Sequence, residues 1–411
     1  MSPISKRLDG VSESATLKLN SMVQAMRASG VDVVNLTAGE PDFNVPEEAK
    51  QAVIEALNSN KSKYTPVGGI PELRKLVAEK TNRQQPSLAK LRAWTPEDVI
   101  VTNGGKQALI NAFFALLDSG DEVIIPSPFW LSYPEMVKLA GGTPRLVRSS
   151  FESGFKMTPA QLREAILEGR GRVKMVVLNS PSNPTGVMYS RAELAALGQV
   201  LVDLPEASRV WVISDEIYDR ITFGQIEFCS FGDACPALRE RMITVNGMSK
   251  SAAMTGWRIG WTVAPKVVTQ AMLTLQGQST SGINALAQWA SVAALKMPES
   301  AFSSQVESFR KRRDLTLEIL GKAGKLKIVA PQGAFYVFVG VGNYLKPDSS
   351  KDSNGAKEDS LAFAERLLEG AKVAVVPGTP FGESEFFRIS FALDEKSLRT
   401  GCQRIVDFLS G

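Results

Sequence analysis

Seven short apolar runs recur through the middle of the chain, at 99–102, 122–125, 143–147, 173–178, 210–214, 242–245 and 258–263. They are rich in Val and Ile and mostly lack strict alternation with polar residues, so they read as strands buried on both faces. Helical periodicity fills most of the gaps between them, with helices predicted at about 46–58, 71–83 and 108–117. Thr158 with Gln161 and Ser190 with Glu193 form capping boxes that open two more. Asn44 with Glu47 makes a third box, with Pro46 suited to the first turn. Strand alternating with helix predicts an α/β fold with a mostly parallel seven-stranded sheet covered by helices. Ligands of such sheets sit beyond the carboxyl ends of the strands, where the polar turns of this chain fall.

Outside that region the pattern changes. A helix is predicted over 14–29 and a strand over 31–36. After about 295 come a helix at 299–320, strands at 325–329 and 334–341, a helix at 361–369, strands at 373–376 and 386–391, and a last helix at 395–409. This second set reads as a smaller α+β domain completed by the N-terminal segment. The predicted division is 1–45 for an N-terminal arm and part of the small domain, 46–295 for the large domain, and 296–411 for the small C-terminal domain. Residues 347–360 are polar and rich in Gly and Ser, and read as a mobile loop.

Composition narrows the chemistry. The 411 residues are 44% hydrophobic and 22% charged, enough for two cores. The 47 basic and 43 acidic residues are mixed throughout, so no basic block suggests nucleic acid or an anionic membrane. No apolar run reaches membrane-spanning length, and residues 1–10 lack the apolar core of a secretory signal. Cys229, Cys235 and Cys402 lack metal or redox spacing and read as reduced thiols of a cytoplasmic protein. The chain has no histidine, which excludes Ser-His-Asp and Cys-His chemistry and nearly all zinc sites. No metal is expected, and acid–base work falls to Lys, Tyr, Asp, Glu or Cys.

The stretch 246–260 holds Lys250 among small residues just after a strand, and Arg258 with Gly256 and Gly260 on either side. Burial disfavours an ammonium, and a neutral amine attacks carbonyls to form a Schiff base. Arg258 is a fixed cation suited to phosphate. Together they suggest a phosphorylated aldehyde, of which pyridoxal phosphate is the obvious one. Taken alone, the stretch fits a solvated surface lysine slightly better.

Other strand ends shift that balance. Asn103-Gly104-Gly105-Lys106 lies between a strand and a helix, where backbone N–H groups can face an anion. Gln107 follows the lysine, so this is not a nucleotide P-loop, and by itself it fits a plain tight turn. Residues 179–186 form a rigid polar loop with two X-Pro bonds, and Asn183 there can donate to a phenolate-like oxygen. Asp215 ends a very apolar strand, where a carboxylate needs a cation such as a pyridinium nitrogen, or else caps the next segment. Tyr218 could bond the same ring's oxygen. Trp130 could stack on a planar cofactor, or belong to the core. Arg388, inside an apolar strand, needs an anion; its fork matches a carboxylate, whether of a ligand or of an internal salt bridge.

As an ordered set these motifs resemble the class I aminotransferases of the fold-type I pyridoxal phosphate enzymes, in particular the aspartate and prephenate aminotransferases. The resemblance spans nearly the whole chain and rests on 38–43, Lys63-Tyr64, 105–107, Pro128 with Trp130, 179–186, 214–218, 249–260, 333–336 and Arg388. It implies that Lys250 joins pyridoxal 5'-phosphate as a Schiff base and then shuttles the substrate's Cα proton. Asp215 would hold the ring nitrogen, Asn183 and Tyr218 the ring oxygen, and Trp130 would stack on the ring. Gly105, Lys106, Ser249 and Arg258 would serve the phosphate region, with Tyr64 reaching in from the partner of a homodimer. Arg388, Asn183, Trp130 and the Gly39 backbone would hold the substrate's α-carboxylate, and Thr16 and Lys106 its distal carboxylate.

The activity so implied is ping-pong transamination through pyridoxamine phosphate, from aspartate or glutamate to 2-oxoglutarate or oxaloacetate. Aromatic or prephenate transamination, C–S β-elimination and a non-catalytic cofactor-binding module are the alternatives. The module would be expected to carry a fused DNA-binding segment, which is lacking, and no Gly-x-Gly-x-x-Gly supports a nicotinamide enzyme. Two departures from the family pattern stand out. Gly247 replaces a serine of many relatives, and the stretch 11–16 has Ser12 where prephenate-type relatives carry a cation.

Overall fold

Period-two alternation inside the apolar runs builds the layers. The computed structural model describes residues 4, 5, 8, 10–12, 15–224, 226–347 and 358–411, with the backbone alone for 15–18 and 20. Its first strand is β1 (Val34–Asn35). Then come β2 (Val99–Asn103), β3 (Glu122–Ser127), β4 (Thr143–Arg148), β5 (Val173–Asn179), β6 (Trp211–Asp215), β7 (Met242–Gly247) and β8 (Ile259–Val263). Strands β2 to β8 form one sheet in the order β2-β8-β7-β6-β5-β3-β4, parallel except for β8, which runs antiparallel to both its neighbours. This is the seven-stranded, mostly parallel sheet expected.

Val99, Val101, Ile124, Val212 and Met242 join one apolar cluster, while their chain neighbours Ile100, Val123, Ile125, Ile213 and Ile243 join another. Both faces of the sheet are therefore dry except along the edge strand β4, whose residues are exposed or half-buried, which is why the other runs look continuously apolar. Helices Pro71–Gln84, Pro159–Glu168, Arg191–Asp203 and Ala285–Lys296 contribute to the first cluster. Helices Gly105–Leu116, Ser132–Leu139 and Lys266–Ser279 contribute to the second.

Strands β9 (Lys327–Ile328), β10 (Tyr336–Gly340), β11 (Val373–Ala374), β12 (Val376–Pro377) and β13 (Phe386–Ser390) follow. An antiparallel sheet in the order β12-β13-β10-β9 packs with helices Ser303–Gly321, Ser360–Ala371 and Glu395–Ser410 around a separate apolar cluster. β1 pairs in parallel with β11, so the N-terminal segment is stitched to this second body.

The capping boxes at Thr158 and Ser190 are formed with Gln161 and Glu193. Asn44 does not cap its helix. Pro46 stands at the N-cap of Glu47–Asn58 and no side chain caps it; Glu47 and Glu48 in the first turn meet the helix dipole instead. The helix expected from residue 299 opens as a 3-10 turn, Glu299–Phe302, before Ser303–Gly321. Most of the expected loop at 347–360 lies outside the described residues.

A buried polar knot fastens helix Pro71–Gln84 to the ends of β6 and β7. Lys80 Nζ forms an ion pair with Asp219 Oδ2, and both side chains are buried. The same oxygen accepts from Gln84 Nε2 at 2.7 Å and from Asn246 Nδ2 at 3.0 Å. Burial alone would raise the Asp219 carboxyl, but Lys80 and Gln84 outweigh it and hold it below the usual range. Lys80→Met would leave this carboxylate buried without its cation. The variant is expected to lose about 3–5 kcal/mol of stability, read as a shift of the urea midpoint.

Glu216 behaves in the opposite way. Its Oε1 accepts from Ser214 and Ser230 hydroxyls at 2.8 and 2.7 Å, but its buried Oε2 has no partner. Burial pushes the carboxyl up to about 7, only partly countered by the two serines. Between its ordinary value near 4.5 and about 7 the folded chain keeps a proton that the unfolded chain has released. Stability should therefore fall as pH rises through that window and level off above it. Glu216→Gln cannot titrate, so urea unfolding at several pH values should show the wild-type decline reduced in the variant.

Candidate active site

The reversal of β8 brings its first residues to the same edge of the sheet as the carboxyl ends of its neighbours. Ile259 pairs with Asn103 and Gly260 with Gly247, so Arg258 lies just past the ends of β2 and β7. Asp215 ends β6 and Asn179 ends β5. A cavity of about 650 Å³ opens at this edge. Gly39, Gly105, Lys106, Trp130, Asn183, Asp215, Tyr218, Ser249, Lys250, Arg258 and Arg388 all line it. Tyr64 does not; its side chain is fully exposed. The side chain of Thr16 lies outside the described residues.

One end of the cavity is built for an anion. Helix Gly105–Leu116 starts here with Gly104 at its N-cap and no side-chain cap. Gly104 has φ +80, and a Cβ on it would strike the Arg258 guanidinium. A Cβ on Gly260 would collide with the backbone of Gly104 and Gly105. The glycines thus let β8, the helix start and Arg258 close into one cup. Arg258 has the left-handed φ of +56. Its Nη1 donates to Thr255 O at 2.8 Å and its Nη2 to Asn103 O at 3.4 Å. Lys106 Nζ stands 5.1 Å from the centre of the Trp130 ring. Burial, then the nearby Arg258, lowers the Lys106 amine below its ordinary range. Gly247 has a local reason: a Cβ there would meet Ile259 O at 2.7 Å, so a serine would force the β7–β8 pair apart.

Lys250 sits in the short helix Met248–Ser251 directly after β7. Its Nζ donates to Gly39 O. Burial pulls the amine down to about 8; Glu40 works against that shift, and Arg388 and Arg258 add to it. A neutral nucleophilic amine is therefore accessible near neutral pH.

Asp215 is buried, and desolvation raises it to about 6 despite two hydrogen bonds. The Tyr133 hydroxyl donates to Oδ2 at 2.6 Å and Ile217 N to Oδ1 at 3.2 Å. No cation pairs with it among the described side chains; its acceptor capacity faces the cavity it lines. The Tyr218 and Tyr336 hydroxyls are 3.1 Å apart. Arg388 is buried beside them, 4.3 Å from the centre of the Tyr336 ring. It donates from Nη1 to Asn183 Oδ1 at 2.9 Å and from Nη2 to Thr37 O at 3.1 Å, while its buried Nε has no partner. Among the described residues the internal salt bridge that a buried arginine could have formed is not made, which leaves this cation facing the cavity for an anion.

Pyridoxal phosphate presents a phosphate, a basic ring nitrogen, a flat ring and an aldehyde. The cavity offers a glycine-walled cationic cup, a buried carboxylate without a cation, an indole and a lysine amine of lowered basicity. The donor set fits. Three residues received no role from the sequence, although Glu40 and Tyr336 lie in stretches that carry the family resemblance. Tyr133 supplies the donor to Asp215, Tyr336 underlies Arg388, and Glu40 accepts from Thr255 Oγ1 at 2.7 Å. For Tyr133 a signal existed: a buried acid in a histidine-free chain needs a donor, and tyrosine is one of few candidates.

Residues 31–405 match the family model described as aminotransferase class I and II. An aspartate/prephenate aminotransferase of Cereibacter sphaeroides is 44% identical over 412 residues, covering 100% of both chains. The solved aspartate aminotransferase from Rhizobium meliloti gives a TM-score of 0.91 at 40% identity, covering 100% of this chain and 99% of that one. That from Thermus thermophilus, determined with maleate, gives 0.89 at 43% identity over 99% of this chain and 100% of that one. Architecture, cavity chemistry and relatives agree, and the chain belongs to the class I and II aminotransferases, enzymes that work with pyridoxal 5'-phosphate.

Proposed function

We propose that the protein is an aspartate aminotransferase, exchanging the amino group of aspartate or glutamate with 2-oxoglutarate or oxaloacetate in a ping-pong cycle. The observation that carries this reading is a pair of separate cations, Arg388 and Lys106, lining the same cavity as Lys250. A dicarboxylic substrate offers one carboxylate to each. The Thermus thermophilus relative was determined with maleate, itself a dicarboxylate. Ser12, whose backbone N donates to Glu135 Oε2 at 2.7 Å, brings no cation of its own, which favours aspartate over prephenate.

When bound, pyridoxal phosphate supplies an electrophilic carbon and an electron-withdrawing ring. Gly105, Lys106, Ser249 and Arg258 would hold its phosphate region, Trp130 its face, Asn183 and Tyr218 its ring oxygen, and Asp215 its ring nitrogen. Tyr133 keeps Asp215 in its anionic form by donating to Oδ2. Arg388, with Asn183 and the Gly39 backbone, orients the substrate's α-carboxylate, and Lys106 with Thr16 takes the distal one. Lys250 Nζ removes the Cα proton and returns it at the other end of the transfer. Its lowered basicity suits both directions.

The remaining parts of the reading are a homodimer, in which exposed Tyr64 serves the partner's site, and a cytoplasmic location. No helix among the described residues is long and apolar enough to cross a membrane. The division into 1–45, 46–295 and 296–411 fits the β1–β11 pairing and the separate apolar clusters.

Two experiments test this. Single amino acids are added, without any oxo acid, to cofactor-loaded protein while its visible absorbance is followed. Aspartate and glutamate should convert the cofactor band; conversion by an aromatic donor alone would overturn the dicarboxylate assignment in favour of an aromatic enzyme. Activity toward prephenate comparable to that toward oxaloacetate would favour the dual specificity of the Cereibacter relative. In the second, Lys106→Ala should lower kcat/KM for aspartate about tenfold or more, the worth of one charge-assisted hydrogen bond, while alanine loses less than about threefold. Equal losses would sink the distal-carboxylate role.

A further inference from the structure

Arg258 is held in an awkward way. A non-glycine residue in the left-handed region is strained unless its surroundings impose the conformation. No carboxylate among the described residues pairs with its guanidinium; the two contacts it makes are to the carbonyls of Thr255 and Asn103. The turn that carries it is weakly self-supported. Met254 N reaches Met248 O at 3.3 Å, and Arg258 N reaches Thr255 O at 3.4 Å. Ala253 in the same turn is also left-handed, with φ +53. Something outside the turn has to hold it.

Ala252 and Met254 are buried in the first apolar cluster, and the polar tie from outside is Glu40. Its Oε2 accepts from the Thr255 hydroxyl at 2.7 Å, and the carbonyl of that same Thr255 accepts from Arg258 Nη1 at 2.8 Å. One residue thus connects the carboxylate to the guanidinium. Glu40 is itself well anchored. Leu36 N donates to Ala374 O at 2.9 Å and Ser390 N to Leu36 O at 2.8 Å, while Asp42 Oδ1 takes Arg312 Nη1 at 2.7 Å. Gly39 O, one residue away, receives the Lys250 amine. The segment from Leu36 to Asp42 is therefore fixed on both sides and presents Glu40 at the cavity, which it lines.

We infer that Glu40, acting through Thr255, is a positioning residue that sets Arg258 for the phosphate of the cofactor. This rests on the cofactor reading above. Glu40 acts through its bond to the Thr255 hydroxyl, immobilising the turn whose carbonyl orients the arginine. A direct pairing of Glu40 with Arg258 would instead neutralise the cation that the phosphate needs. The relay through a neutral threonine keeps the charge available.

The test uses the full chain, stripped of cofactor, and compares pyridoxal phosphate with pyridoxal, which has the aldehyde but no phosphate. Dissociation constants are read from the visible absorbance of the lysine adduct. Glu40→Ala and Thr255→Val should each weaken pyridoxal phosphate binding about tenfold, the scale of one hydrogen bond to a charged group. Pyridoxal reports that the lysine pocket is folded and carries any effect of Glu40 on the Lys250 amine that both ligands share, so the loss is read as the ratio of the two constants, expected to change about tenfold. Glu40→Gln and Thr255→Ser keep an acceptor and a donor, and should bind pyridoxal phosphate within about threefold of wild type, since the relay depends on the bond. Unchanged pyridoxal phosphate binding in Glu40→Ala would overturn the inference. So would parallel losses for both ligands, or a Glu40→Gln variant as weak as Glu40→Ala. If wild-type protein forms no adduct with pyridoxal phosphate, the cofactor reading falls and this inference with it; wild-type binding with indifferent variants sinks the inference alone.

Discussion

The approach of bare backbone at Gly104, Gly247 and Gly260 is the constraint on which the rest of the site depends. An antiparallel strand that begins at the carboxyl edge keeps the segment following Lys250 at that edge, with no crossover to the opposite one. Strand β8 does this by inserting between β2 and β7. The price is crowding. A Cβ at Gly260 would run into the start of helix Gly105–Leu116, and one at Gly104 into Arg258. With glycine at these points the helix N-terminus, Arg258 and the Lys250 turn occupy one small region. Without it the cup would not close, and at Gly247 the β7–β8 pair itself would be forced apart.

That geometry concentrates positive charge. Arg27, Lys106, Lys250, Arg258 and Arg388 share one cavity with only Asp215 and Glu40 as acids among the described residues. Mutual repulsion is visible in the amines: burial and Arg258 lower Lys106, and burial, Arg388 and Arg258 lower Lys250 against the pull of Glu40. The buried carboxylate shows the complementary deficit. Desolvation lifts Asp215 to about 6 even with Tyr133 donating to it. A cavity of this kind is poised for a ligand that carries anions at its ends and a protonated nitrogen at its centre, and its binding would relieve each of these shifts.

The strands were legible because both sheet faces are apolar, so each run reads as a short block of Val and Ile bounded by turn residues. The carboxyl-edge rule puts the turns that hold Lys250, Asp215, Asn183 and Gly105 at one edge of the sheet, and the family resemblance gathers them into one site. What was not legible depends on pairings across the chain. Tyr133 meets Asp215 across 82 positions and Glu40 meets Thr255 across 215. Nothing local marks either residue, since a tyrosine three after Trp130 reads as core and an acid after Gly39 reads as loop. Asn44 failed for the converse reason. The local rule was satisfied, but Pro46 had already set the backbone at the helix start.

The absence of histidine ties these points together. An acid that must stay ionised in an apolar strand end needs a donor, and here a phenol serves. Tyrosine donates its proton without competing for it, because burial and the neighbouring Asp215 push its own ionisation well above the ordinary range. The donor therefore remains a donor through the neutral range, where an imidazole would change charge. The same logic extends to the Tyr218–Tyr336 pair beside Arg388, where burial also drives both phenols upward. With the phenols held out of the way, Lys250, drawn down to about 8, is the group that moves the proton in the proposed chemistry, and Asp215, lifted to about 6, is the anion reserved for the ring nitrogen.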